Sequence, residues 1–460
     1  MKEHLYRYLV TPMVLRVQQP TPMTVRPMDV LWQFDPARSY TVTLKPMTRR
    51  TRQSNLEAED PQDPFYLRCV ADGQYDPALM PQWIQSYAAT VQDGCLHFTA
   101  VCDNEEEYRI IVRDDAGKTY PSLRIYALRD DLYAKRPLKG DLHVHSCRSD
   151  GREAPAVVAA NYRMAGFDFT VISDHGRYYP SREAQQAYEG VPLGMLIVNG
   201  EEVHAPENYV HIIHFGGRHS VNELFQNDPD RYFQEVSEIA RNEEIPYYDK
   251  FLYAANLWCI RRIREAGGLA VFCHPQWVYH DQQNDPDELA RLFLARGEFD
   301  AFELIGGQVS QENDLQVAFW NDLRAEGHRI PVVGSSDSHG TLEHGLYDQM
   351  YTIVFADEFS VDGIIRAVKQ GNSTAVEFRK KQGPIDYYYT DGDEYSVHAS
   401  YRLVAYTRFL IDEYFARTRI MAAQEGSLMR DYLFGVPTAK QHLADLRHRL
   451  DDFYSLAFGR

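Results

Sequence analysis

Twelve of the seventeen histidines in this chain fall between positions 143 and 344, and several stand beside Asp or Glu at the ends of short apolar runs. Imidazole and carboxylate together are the donors that suit zinc, manganese or iron. The first cluster is Gly140-Asp141-Leu142-His143-Val144-His145-Ser146, followed by Ser149-Asp150-Gly151. Side chains two apart on a strand share a face, so His143 and His145 can chelate one ion while Asp150 reaches a neighbouring one. An apolar run then ends in Asp174-His175, and another in Asn199-Gly200-Glu201-Glu202. A glutamate at that second end can bridge two cations, one on each oxygen. Tyr209-Val210-His211-Ile212-Ile213-His214 offers two histidines three apart. In a regular strand these face opposite ways, so at most one is a ligand unless the strand is bulged; of His211 and His214, His211 is the one taken. Gly267 to Pro275 ends in His274-Pro275, where proline stops the strand and leaves the histidine at its mouth. Asp337-Ser338-His339 closes the series. Six run ends thus present Asp, Glu or His, and a shared metal site accounts for all six.

The elements that must position these groups are legible as a change of pattern near Lys139. From there, short apolar strands alternate with helical stretches, the signature of βα units. Strands are expected near 140–145, 167–174, 195–203, 209–215, 269–274, 300–305 and 329–335. Helices are expected near 154–165, 229–243, 251–266, 285–297 and 311–326. Seven such strands suggest a closed or nearly closed parallel barrel, whose C-terminal strand ends would gather the metal-binding types. The stretch between Phe215 and Gly268 is too long for one crossover helix and holds an insertion. A strand at 351–355 and a helix at 361–370 finish this domain, assigned to 136–376. Residues 1–135 are β-rich, with strands near 40–44, 95–101, 108–112 and 122–127, a hairpin turn at 114–117 and an exposed acidic loop at 55–65. They read as a small β-sandwich without a catalytic constellation. The last part, 377–460, opens as a polar, tyrosine-rich linker and continues as a helical tail. There Leu403, Tyr406, Leu410 and Tyr414 recur at helical spacing and form a packing stripe.

Composition narrows the class. A 460-residue chain, 44% hydrophobic and 25% charged, is long enough for two or three globular domains. A net charge of −18 argues against a broad nucleic-acid surface, so the basic runs Arg49-Arg50 and Arg379-Lys380-Lys381 read as solvated loops. The six cysteines are scattered, without a CxxC pair, which disfavours a zinc ribbon or a disulfide framework. No apolar run is long enough to span a membrane, and the N-terminus lacks a clean cleavage site. The expected location is cytoplasmic and the expected partner a small-molecule substrate, with neither nucleic acid nor membrane.

The ordered set HxH…D-G, Asp-His, Gly-x-Glu, His, His-Pro and Asp-x-His resembles the polymerase-and-histidinol-phosphatase (PHP) family over about 139–376. The layout, with a β domain leading through Arg136-Pro137-Leu138-Lys139-Gly140-Asp141, is similar to the CehA/McbA-type branch. The resemblance implies an α/β fold with a distorted seven-stranded barrel holding two or three divalent ions. Carried over by position, His143, His145, Glu202 and Asp337 would hold one ion. Glu202, His211 and His274 would hold a second, and Asp150, His175 and His339 a third. Closely spaced ions would lower the pKa of a bridging water and present hydroxide for attack. His211 or His339 could assist proton transfer, although ligation would remove either from that duty. Arg148 and Arg177, next to metal-site segments, could clamp a phosphate. The leading expectation is therefore a small-molecule phosphoesterase. The alternative is a carbamate or carboxylic ester hydrolase: a basic rim would favour phosphate, and an aromatic pocket with groups such as Trp277 and Tyr279 a neutral substrate. A non-catalytic metal-binding module is the remaining class.

Overall fold

The computed structural model describes residues 3–48, 85–307, 310–342, 347–380 and 393–460. The expected acidic loop at 55–65, the pair Arg49-Arg50 and Cys69 lie outside the described residues, as do the side chains of Arg379-Lys380-Lys381. The chain divides into two compact units. One comprises Met1–Ala134, Phe409–Arg417 and Asp452–Arg460; the other comprises Lys135–Arg408 and Thr418–Asp451. Two pieces of the helical tail thus count with the N-terminal unit.

The first unit is built from β1 (Tyr8–Thr11), β2 (Val14–Arg16), β3 (Thr21–Pro27), β4 (Tyr40–Pro46), β5 (Gln85–Gln92), β6 (Cys95–Ala100), β7 (Glu106–Asp114) and β8 (Leu123–Leu128). They form one sheet in the order β1-β3-β6-β5-β4-β7-β8-β2. β5 serves both halves, pairing β4 up to Ala89 and β6 from Thr90. The period-two pattern of β7 buries alternate residues, and Val10, Val25, Leu96 and Phe98 from one half share a core with Val42, Leu44, Ile110 and Ile125 from the other. This is the expected sandwich. The turn at 114–117 forms between β7 and β8, with Asp114 Oδ1 accepting from the N–H groups of Ala116 and Lys118.

The second unit carries β9 (Arg136–Asp141), β10 (Phe169–Val171), β11 (Leu196–Val198), β12 (Gly200–Val203), β13 (Ile212–Phe215), β14 (Leu269–Phe272), a small hairpin of β15 (Val278–Tyr279) and β16 (Gln282–Gln283), β17 (Ala301–Ile305) and β18 (Val332–Gly334). Parallel pairs join β9 to β10, β10 to β11, β14 to β17 and β17 to β18. The expected third strand is broken at Asn199, so that β11 pairs β10 while β12 pairs β13. One parallel bridge, Val144↔Ser338, brings the ring of strands back towards its start, giving a nearly closed seven-stranded barrel. Leu142, Phe169, Val171, Ile213, Phe215, Leu269, Val271 and Val333 belong to one core cluster, and helices such as Pro155–Met164, Lys250–Glu265 and Ser310–Ala325 alternate with the strands.

The barrel is not all parallel, contrary to expectation. β13 runs antiparallel to both β12 and β14. Only residues 204–211 separate β12 from β13, and a parallel return needs a crossover of a dozen residues or more. The consequence for the site is direct: β13 begins, rather than ends, at the barrel mouth, so His211, just before Ile212, stands there with the C-terminal ends of the parallel strands.

Beside β9, β19 (Met350–Ala356) runs antiparallel, followed by the helix Val361–Lys369, as expected in outline. The chain then continues in β20 (Ser373–Lys380) and β21 (Asp393–His398), which the polar composition did not announce. The proposed boundary at 376/377 falls inside β20. The tail is helical from Tyr401 to Leu433, widening into a π-type turn at Leu410–Phe415, and again over Ala439–Phe458. Leu403, Tyr406, Leu410 and Tyr414 are all buried.

Candidate metal centre

All nine residues proposed as ligands meet at the barrel mouth. His143 and His145 follow β9, His175 follows β10, Glu202 lies in β12, His211 precedes β13, His274 follows β14, and Asp337 and His339 follow β18. Asp337 Oδ1 stands 3.2 Å from His143 Nε2 and 3.0 Å from His145 Nε2. Glu202 Oε2 lies 3.6 Å from both of those nitrogens, while Glu202 Oε1 faces His211 Nδ1 at 2.9 Å and His274 Nε2 at 3.6 Å. Asp150 Oδ2 is 3.4 Å from His175 Nε2 and 3.2 Å from His339 Nε2. Groups of three or four of these donors lie close enough to hold one ion each, including His143-His145-Asp337, Glu202-His211-His274 and His145-Asp150-His175-His339.

The donor set fits cations on an independent observation. His143 Nε2, both ring nitrogens of His145, both oxygens of Glu202, His211 Nδ1 and Asp337 Oδ1 are buried and make no hydrogen bond. Buried polar atoms are normally satisfied, and one left alone costs about 1–3 kcal/mol. Here seven such atoms converge on one place. His211 is on the barrel-facing side with Ile213 and Phe215, whereas His214 points away and pairs with Glu201. The backbone contributes strain: His274 and Asp337 take positive φ values of 31° and 49°, a region costly for residues other than glycine.

Electrostatics keep the carboxylates ionised. Burial opposes charge on Glu202, yet the surrounding imidazoles, His211 and His143 first, hold its pKa well below the usual carboxylate range. Asp337 and Asp150 are lowered likewise, again against burial, by His143 and His145 in one case and His175 and His339 in the other. Burial lowers His211 to about 4, outweighing Glu202, so its ring is neutral. His175 goes the other way: burial opposes protonation, but Asp150 and Glu202 raise it to about 10.

Supporting residues to which sequence reasoning gave no role surround the cluster. Glu303, on β17, pairs with His143 Nδ1 at 3.0 Å and so directs Nε2 towards Asp337. A lone carboxylate inside the apolar run Ala301–Ile305 was its available signal. Asp174 accepts from the N–H of Ser146 and Ser149 and from both hydroxyls, fixing the loop that carries Asp150. Asp141 accepts from the N–H of His143 and Ser336 and from Tyr162 Oη, tying β9 to β18. His204 also enters the cluster, its ring centroid 4.1 Å from that of His211. Cys273, though close to His143 and His274, donates its thiol to the His211 carbonyl, and burial pushes its pKa up.

The expected phosphate clamps are otherwise engaged. Arg148 makes a two-pronged pair with Glu183, at 2.9 and 2.7 Å, and the Arg177 guanidinium donates to the Arg148 carbonyl. Among the described residues neither forms an ion pair or hydrogen bond with any of the nine. Glu183 lies on the helix Tyr179–Ala187, a mostly polar stretch that the pattern reading did not identify. On the other flank Trp277 stands 5.6 Å from His274 and 6.3 Å from His211, ring to ring, and leads to Tyr279. Tyr279 lines a cavity of about 640 Å³ together with Tyr209, Tyr248, Gln282, Asn284 and Asp285.

No family model and no curated protein matches the chain. Among solved structures it is similar to a two-domain protein from Bacteroides vulgatus containing a predicted PHP-like metal-dependent phosphoesterase: 17% identity, 58% of this chain and 85% of that one, TM-score 0.37. It is also similar to a putative metal-dependent phosphoesterase from Bifidobacterium adolescentis, at 18% identity over 45% of this chain and 89% of that one, TM-score 0.31. An amidohydrolase from Chromobacterium violaceum overlaps at 20% identity over 44% of this chain and 88% of that one, TM-score 0.30. Overlaps at such TM-scores assign neither residues nor activity.

Proposed function

We propose that the chain is a metal-dependent hydrolase acting on an ester of a small molecule. The observation that carries this is Glu202, whose two oxygens face two different histidine groups, the arrangement a carboxylate needs to sit between two cations. His143, His145 and Asp337 would complete one ion's ligands, His211 and His274 a second's, and Asp150, His175 and His339 a third's. Divalent cations held there would polarise a bound ester and lower the pKa of a water molecule towards neutrality. Glu303 holds the His143 ring in the orientation that presents Nε2. As ligands, His211 and His339 are not free to move protons. Glu202, Asp337 and Asp150 would offset the charge of cations held there.

A phosphoester is the first reading, because several cations in one mouth suit an anionic substrate. A second reading is favoured by Trp277 beside His274 and His211, by a cavity reached through Tyr279 that is lined by three tyrosines with amide and acidic side chains and without Lys or Arg, and by the engagement of Arg148 with Glu183. A neutral carbamate or carboxylic ester with an aromatic group would seat there. Elemental analysis of protein purified without chelators should give at least two equivalents of transition metal, and less than one after reconstitution would refute the proposal. Assay of the loaded protein against phosphomonoesters, phosphodiesters and aryl carbamates separates the two readings.

A further inference from the structure

Glu202-Val203-His204 repeats the spacing of His143-Val144-His145, and the structure uses it the same way. Side chains two apart share a face, so His204 follows Glu202 into the mouth. Its position is fixed by one asparagine: the His204 N–H donates to Asn222 Oδ1 at 3.1 Å, and Asn222 Nδ2 donates to the Glu202 carbonyl at 3.1 Å. The ring nitrogen Nε2 then lies 2.9 Å from His175 Nδ1 and 3.5 Å from Glu202 Oε2, while His175 Nδ1 is 2.5 Å from the same oxygen. Three donors from three residues thus face one another, near enough to share an ion. Metal–nitrogen bonds of about 2.0–2.1 Å place neighbouring ligand atoms roughly 3 Å apart, and the three distances here, 2.5, 2.9 and 3.5 Å, bracket that spacing.

We infer that His204 is a further metal ligand, closing a cation site with His175 Nδ1 and Glu202 Oε2. The inference rests on the metal-dependent reading above and extends it to a residue outside the motif set that suggested it. His175 then faces this set through Nδ1 and Asp150 through Nε2, and cations on both nitrogens would require the ring to give up both its protons as a bridging imidazolate.

The test is metal binding by the full chain, not turnover. Chelator-stripped wild type and His204→Ala are titrated with cobalt(II), following visible absorption and, after desalting, the metal count. The variant should lose about one equivalent of cobalt, or bind one ion at least tenfold more weakly, with an altered absorption band. Wild-type count, affinity and spectrum in the variant would overturn the inference and leave His204 as a hydrogen-bond partner of His175. If alanine prevents folding, judged by circular dichroism, His204→Gln is read by the same criteria. A wild type that takes up no cobalt would overturn the hydrolase reading itself, so the two failures are distinguishable.

Discussion

Glu201 and Glu202 are adjacent, both buried, and set in opposite environments. Glu201 accepts from Ser220 Oγ, Asn222 Nδ2 and the Val221 N–H and pairs with His214, so its oxygens are fully used within the protein. Glu202 has no such partners, and its oxygens face the ligand histidines. Glu202→Gln should therefore lose most bound metal and lower turnover by several orders of magnitude, checked by elemental analysis and by assay of the reconstituted variant. Glu201→Gln should keep its metal but lose about 1–3 kcal/mol of stability in urea unfolding, because an amide cannot accept from so many donors. Equal loss of metal in both would show that the register of β12 is misread. Glu303→Gln should weaken metal binding about 10–100-fold with a normal fold, since the His143 ring would lose its anionic orienting partner. The nine clustered residues were legible because eight stand at or just beyond strand ends and Asp150 follows the HxH pair as Asp-Gly, while the Gly-x-Glu resemblance singled out Glu202 over Glu201. Glu303 and Asp174 were not, because their roles depend on neighbours far away in sequence.

At the scale of elements, hydrophobic periodicity revealed where strands and helices lie but carried no sign of strand direction. β13 shows this: its apolar pattern is that of any barrel strand, and only the short connection from β12 contains the reversal. β20 and β21 escaped notice because the stretch 379–397 is polar and gives no periodic signal. The close approach of β12 to β10 depends on Gly200, where a Cβ would lie 2.3 Å from Val171 Cγ2 and 2.6 Å from the His214 carbonyl oxygen. Gly200→Ala should force these strands apart, costing about 1–3 kcal/mol and weakening metal binding through displacement of Glu202. Thermal unfolding together with cobalt titration would check both effects, and an unchanged melting temperature would contradict this packing.

For the whole molecule, two extensive apolar clusters in the barrel unit include none of the nine ligands, so metal is not needed to form the core. Chelation should abolish hydrolysis and lower the melting temperature while far-ultraviolet circular dichroism is largely kept; wholesale unfolding would instead make the cations structural. Protons compete for the same site. The pKa of His175 is raised to about 10, so at neutral pH a cation must displace a proton there. Metal affinity should therefore rise with pH between about 6 and 9, with proton release seen as a buffer-dependent heat in calorimetry. Among the described residues no helix is long and apolar enough to cross a membrane.

The left-handed backbone at His274 and Asp337 sets robustness against function. Each such residue costs on the order of 1–3 kcal/mol, and glycine would relieve the strain at either position. A library selected only for heat resistance would thus drift towards glycine at 274 and 337, gaining melting temperature while shedding the donors that converge on Glu202. Screening the same library for retained cobalt would reject those variants, leaving two positions where the sturdiest sequence and the working one differ.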